Sequence, residues 1–262
     1  MEIFFRNEVA VLSLTLIYGL IVGSFLNVCI YRIPRKGSII HPPSFCPQCG
    51  TGIHFYDNVP VLSYLYLLGR CRSCGAFISP IYPLVEIFTA LLFVLYIKRF
   101  GFSLEFFSAA MLTCLCIILI GIDFRHKVLP NVLTLTGTLA GFIFSIFHDS
   151  ISWTDSLAGI LVGGGVLLAV YLLYRLFTGM EGMGMGDVKM MMMVGAFLGW
   201  KLALLTIILG SFLGSIAGII IAIRKKTNLK IALPFGTFLG FAAIFSLIWG
   251  TSVVVWYMGM LQ

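Results

Sequence analysis

Uncharged apolar runs recur along the whole chain, at residues 9–31, 87–97, 106–122, 128–147, 156–174, 190–200, 202–223 and 231–262. A helix crosses the hydrocarbon of a bilayer with roughly 20 apolar residues, and in lipid its backbone groups must be satisfied internally. Eight runs of this kind predict an all-α polytopic membrane protein with about eight transmembrane helices. Composition agrees, since 60% of the 262 residues are hydrophobic, 10% are charged and the mean hydropathy is +1.07. Two runs are short. The second has to recruit residues 81–86, Glu86 included, and the sixth must either extend back towards Gly186 or be surrounded by protein or water instead of lipid. The first run is 23 residues long, and the tail before it, with Glu2, Arg6 and Glu8, lacks the positive charge of a signal peptide, so it reads as a retained helix.

Orientation follows from the basic residues, because Lys and Arg are held on the cytoplasmic face. Of the 17 basic side chains, Arg6, Lys98, Arg99 and Lys201 fall in one set of connections and tails. All the others fall in the alternate set, at 32–80, 123–130, 175–189 and 224–230. Both termini are therefore expected outside, with the long 32–80 loop in the cytoplasm. The formal charge of +7 is mostly a topology signal. No soluble basic face exists to bind nucleic acid.

That first loop carries CPQCG at 46–50 and CRSCG at 71–75. Two Cys-x-x-Cys hooks, each closed by a glycine that frees a tight turn, match the spacing of a tetrathiolate zinc ribbon built from Cys46, Cys49, Cys71 and Cys74. Disulfides are the competing reading, and a cytosolic loop disfavours them. A site with four thiolates has no open coordination position, so its expected role is to fold a loop too small for a core of its own. His41 and His54 are nearby alternatives as ligands. Cys29, Cys114 and Cys116 lie in apolar runs and read as small buried hydrophobes. The layout that results is an outer tail and first helix (1–31), a zinc-ribbon-like loop (32–80) and a membrane bundle (81–262).

Acidic residues number ten with both types counted. Glu2, Glu8, Glu105, Asp149 and Asp155 belong to the outer side, and Asp57 to the loop. Glu86, Asp123, Glu181 and Asp187 remain, at or near cytoplasmic helix ends, where ionisable groups are functional candidates by default. Asp123 closes one helix in GIDFRHKVLPN, and Asp187 opens another in GMGMGDVKMMMM. Counting crossings puts both at one depth. Two carboxylates that share a proton resist double ionisation, so one can act as a base on water while the other acts as an acid. Local readings compete with this one. Asp is a good helix cap, and Asp123 could pair with Arg125 or Lys127.

Other polar groups carry less. Glu86 could orient an amine, support methyl transfer or pair with a loop cation; Asn27 is equally ambiguous; Lys189 could steer a carboxylate or snorkel. Met190–Met193 reads as adaptable packing. Gly159 with Gly163, and Gly210, Gly214 and Gly218, mark close-packing helix faces.

Several stretches in order, GSFLNVCIYRIP (23–34), the two Cys-x-x-Cys pairs, YPLVEIFTALLF (82–93), GIDFRHKVLPN (121–131) and GMGDVKMMMMVGAFLGW (184–200), resemble the bacterial prepilin peptidase (type IV leader peptidase) family of GxGD aspartic proteases. The resemblance runs over nearly the whole chain. It implies that Asp123 and Asp187 are the catalytic pair and that the substrate is the leader of a type IV prepilin or pseudopilin, cut at the cytoplasmic face of the inner membrane. It also implies N-methylation of the new terminus from S-adenosylmethionine, since the cysteine loop is typical of bifunctional members. An ion-coupled carrier that relays protons through its intramembrane carboxylates, with the zinc loop as a docking module, is the alternative from another class.

Overall fold

The structure is a computed structural model that describes residues 2–147, 150–179, 183–225 and 233–260. Its helices are α1 (Glu2–Arg32), α2 (Leu62–Tyr66), α3 (Ile81–Phe100), α4 (Leu104–His126), α5 (Asn131–Ile146), α6 (Trp153–Thr178), α7 (Met185–Lys225) and α8 (Phe235–Met260). Among the described residues β structure is limited to two isolated bridges, Phe45 with Gly52 and Arg70 with Phe77. Among the described residues six helices are long and apolar enough to cross a membrane, and α5 is a shorter apolar helix. Large apolar side chains such as Leu14, Ile17 and Ile21 of α1 and Leu161 and Leu173 of α6 are exposed, as lipid-facing positions would be. Two compact units result, Met1–Ala110 and Met111–Gln262.

In the first unit α1 packs against α3 along rungs four residues apart. A Cβ on Gly19 would lie 2.5 Å from the Cα of Ala90, and one on Gly23 would lie 2.6 Å from the Cα of Glu86. One turn further on, Asn27 Nδ2 donates to the Tyr82 carbonyl at 3.0 Å. Small residues at this spacing let two backbones meet, the main source of helix association in lipid. As the short second run requires, α3 does take in residues 81–86.

In the second unit α7 is two helices in one. Gly199 has φ 75° and ψ 173°, far from helical values, and the chain reverses there. The proof is on α6: a Cβ on Gly163 would meet the Met191 carbonyl oxygen at 2.5 Å and the Ala203 Cβ at 3.5 Å. A straight helix would hold Met191 and Ala203 roughly 18 Å apart. The sixth and seventh apolar runs are thus a hairpin, and the break falls at Gly199 instead of at the charged Lys201. The sixth run also extends back to Met185 and is enclosed by protein, with Met190, Met191, Met193, Val194 and Ala196 fully buried.

Glycines make that enclosure possible. Gly137 of α5 faces Met193 Sδ, Gly141 faces Phe197, Gly164 of α6 faces the Met192 side chain and Gly240 of α8 faces Met190 Cε. The closest approach is Gly159 to Gly195, where a Cβ on either would overlap the carbonyl group of the other. The methionines do act as adaptable filling between four helices. Gly195→Ala should therefore destabilise the protein by about 2 kcal/mol or more, read as a lowered unfolding midpoint in detergent. Gly165→Ala, on α6 where a Cβ meets nothing within 4 Å, should leave the midpoint unchanged or slightly raised.

Candidate functional site

Asp123, three residues before the end of α4, is 4% exposed, and Asp187, in the first turn of α7, is 6% exposed. Both face Gly236 of α8. A Cβ on that glycine would lie 3.2 Å from Asp123 Oδ2 and 3.2 Å from Asp187 Oδ1, so the two carboxylate oxygens are at most twice that distance apart. The chain ends of three helices hold this arrangement. At the start of α8, where backbone N–H groups have no partner within the helix, the Thr237 N–H donates to Asp123 Oδ2 at 2.7 Å and the Thr237 hydroxyl donates to the same oxygen at 3.0 Å. Asp123 Oδ1 is left for another ligand. Leu129, in the connection from α4 to α5, seals one side: a Cβ on Gly236 would meet its Cδ1 at 2.8 Å, and one on Gly186 would meet its Cβ at 2.9 Å.

Against this geometry the ion-pair reading of Asp123 loses ground, while the helix-start reading of Asp187 stands beside its place in the pair. Asp187 is the third residue of α7 and not its cap; its carboxylate takes the backbone N–H of Gly184, just before the helix, as the acidic residue of a capping box does, and its own backbone N–H bonds the Gly184 carbonyl at 3.1 Å. Asp123 forms no ion pair among the described residues and turns to Thr237. The part of the site that sequence reasoning missed is Pro234-Phe-Gly-Thr237. A Pro-x-Gly at the start of an apolar run was the available signal.

The four loop cysteines also converge. Their sulfurs all lie within 4.8 Å of one another, Cys46 and Cys74 at 3.9 Å, close to the spacing of just under about 4 Å that a tetrahedral ion with bonds of about 2.3 Å sets. All four are free thiols. The two hooks are built alike. Gly50 N–H bonds the Cys46 carbonyl and Gly75 N–H the Cys71 carbonyl, each at 2.9 Å, while the first cysteine of each hook donates across its turn, to Thr51 and to Ala76. Gly50 and Gly75 have φ of 72° and 69°, the left-handed region where glycine costs nothing. Hydrogen bonding with the Thr51 hydroxyl and backbone holds the Cys49 thiol down to about 6, towards the thiolate a metal needs, while burial and its sulfur neighbours push Cys74 up to about 11. Asp57 is locked to Arg72 by two hydrogen bonds, at 2.7 and 2.6 Å, tying the inter-hook segment to the second hook. His54 stacks on Tyr56 at 5.1 Å, and neither it nor His41 joins the cluster. Four cysteines are positioned to bind a metal ion.

Among the described residues Lys189 forms no ion pair with a carboxylate; its Nζ donates to Asn131 Oδ1 at 2.9 Å. Glu86 is buried and accepts from the Val61 N–H at 2.8 Å. Glu181 and Asp149 lie outside the described residues.

Comparison with known proteins joins the two halves of this picture. The profile of the Bacterial Peptidase A24 N-terminal domain matches residues 17–100, which contain the cysteine loop, and that of the Type IV leader peptidase family matches residues 110–219, which contain both aspartates. A protein of Pseudomonas putida named prepilin leader peptidase/N-methyltransferase is 36% identical over 264 residues, covering 92% of this chain and 92% of its own. One of the same name from Pseudomonas aeruginosa is 36% identical over 96% of this chain and 95% of its own, and one from Aeromonas hydrophila 35% identical over 94% and 93%. No solved structure matches the chain significantly. The matched 110–219 stretch ends before α8, so the partners of Asp123 on that helix come from the structure alone.

Gly236→Ala should push a methyl group between the two carboxylates and onto Leu129. Displacements of about 1 Å at a reacting pair cost on the order of a hundredfold in rate. A loss of that size in the turnover supported by the pair is expected, with the helical content and unfolding midpoint of the protein near those of the wild type.

Proposed function

The chain belongs to the type IV leader peptidase family, and from that premise we propose that it removes the N-terminal leader of type IV prepilins or pseudopilins and methylates the new N-terminal residue. One observation carries the proteolytic assignment: two buried carboxylates from different helices flank a glycine that puts no side chain of its own between them. Asp123 and Asp187 are the catalytic residues. The ionised member takes a proton from a water molecule as its oxygen attacks the scissile carbonyl. The protonated member donates to the carbonyl oxygen, and a tetrahedral gem-diol results. When the C–N bond breaks, the proton taken from water passes to the leaving amine. Thr237 holds one oxygen of Asp123, so the other is aimed at the reacting atoms. No covalent intermediate with the enzyme forms.

The site lies where such a substrate would present its cut. The prepilin's apolar helix rests in the bilayer against the bundle and its polar leader emerges at the cytoplasmic edge of α4, α7 and α8. The protein is a multi-pass inner-membrane protein with both termini outside and with the cysteine loop and the aspartates on the cytoplasmic side. Zn2+ is the ion held by Cys46, Cys49, Cys71 and Cys74, where a closed set of four thiolates serves folding and leaves no position for substrate. S-adenosylmethionine supplies the methyl group, carried on an electrophilic sulfonium.

Asp123→Asn and Asp187→Asn should each reduce leader removal from a purified prepilin by at least about a hundredfold, while inserting into membranes like the wild type; substantial cleavage by both variants would sink the assignment and favour the carrier. Metal analysis of the purified protein should find about one zinc per chain. Cys46→Ser or Cys71→Ser should lose it and make the loop sensitive to protease, and unchanged zinc in both variants would refute the four-cysteine site.

A further inference from the structure

Glu86 is a buried carboxylate, 7% exposed, within an apolar span, and it has no ion-pair partner among the described residues. Three arginines of this unit are engaged elsewhere. Arg32 donates to the carbonyls of Ser38 and Pro43 at 3.0 and 3.2 Å, Arg35 to that of Tyr31 at 2.6 Å, and Arg72 is taken by Asp57. What Glu86 does hold is the backbone of the loop. Its Oε2 accepts from the N–H of Val61, which sits at φ 60° and ψ −50° in a tight turn closed by Leu62 N–H to the Pro60 carbonyl at 2.6 Å. That geometry is a strained γ-turn, and a β-branched residue at positive φ makes it costlier. Strain of about 1–3 kcal/mol persists where surrounding structure imposes it, and it clusters at functional sites.

Anchoring a turn needs only a hydrogen-bond acceptor, which a glutamine would provide without the cost of burying a charge. A charged carboxylate there calls for a cation, and no described residue forms an ion pair with it. A carboxylate offers about four lone-pair sites, and here Val61 N–H and the Ser24 side chain take part of them. On the next rung of the α1–α3 contact Asn27 gives its Nδ2 to Tyr82, which leaves Oδ1 as an acceptor about 5.4 Å along the helix. Two acceptors, one of them charged, on adjacent turns suit a group with several N–H donors and one positive charge.

We propose that Glu86, with Asn27, binds the α-ammonium group of a reactant in methyl transfer, either the new N-terminus of the cleaved pilin or the amino-acid end of S-adenosylmethionine. The assignment rests on the methyl-transfer reading above. In the first case the carboxylate has a further use, because an ammonium nitrogen cannot attack the methyl carbon until one N–H bond breaks, and Glu86 can take that proton.

The test is calorimetric titration of the full-length protein in detergent with three probes: a peptide of a mature pilin N-terminus with a free α-amine, its N-acetylated counterpart, and S-adenosylmethionine. Wild type should bind the free-amine peptide at least tenfold more tightly than the acetylated one if the pilin is the source. Glu86→Gln, which keeps an acceptor for Val61 and so the unfolding midpoint, should then abolish that difference. If the donor is the source, Glu86→Gln should weaken S-adenosylmethionine at least tenfold and leave both peptides alike. A Glu86→Gln protein that binds all probes as the wild type does overturns this inference alone. Wild-type protein that binds none of them while still removing leaders overturns the methyl-transfer reading and this inference with it.

Discussion

The first half of α7 has to be buried on every side, and the second unit is organised around meeting that demand. In lipid there is no hydrophobic force to drive helices together, so close backbone approach has to supply the contact energy. Three neighbouring helices answer with glycine: Gly137 and Gly141 from α5, Gly159, Gly163 and Gly164 from α6, and Gly240 from α8. The run of methionines and small residues between Met190 and Ala196 fills what is left. One end of this column carries Asp187. Its depth and direction are therefore fixed by contacts more than a turn away, and the same packing brings Gly236 and Thr237 of α8 to Asp123. Two carboxyl groups held close in a buried site require a scaffold that does not relax, and backbone contacts of this kind do not.

Order in the loop of the first unit has a different origin. Water satisfies exposed backbone there, and the segment is too short to bury much apolar surface. Two nearly superimposable turns and four sulfurs take the place of a core, helped by the Asp57–Arg72 pair and by stacking of His54 on Tyr56. Glu86 ties this region to α3 through Val61, so the order of the loop and the order of the helix packing share a single strained turn.

Legibility in the sequence followed the range of the interaction. The cysteine hooks depend on spacings of three residues and a glycine, and their convergence was readable from the letters. Helix positions were readable from apolar runs, and the common depth of Asp123 and Asp187 from counting crossings. The glycine faces on α6 and the second half of α7 were visible from their four-residue repeat, while Gly137, Gly141 and Gly240 were not singled out, because what they face is known only from the fold. Gly236 and Thr237 were missed for the same reason: in sequence they open an unremarkable apolar helix, and their meaning comes from Asp123, more than a hundred positions away. Val61 gave no warning at all, since a valine at positive φ is what local preference argues against. The reversal at Gly199 hid beneath a neighbouring lysine that made the break look like a matter of charge.

That reversal bears on how the protein reaches its membrane. The two halves of α7 are joined with almost no connecting chain, and each is the other's neighbour against α6. A connection so short leaves no polar loop to be carried across the bilayer separately, so during biosynthesis the halves have to partition as one unit, and the solitary Lys201 at the tip is dragged along by the apolar mass on both sides. The segment that bears Asp187 thus arrives already shielded from lipid along one flank, before α8 exists to close the site.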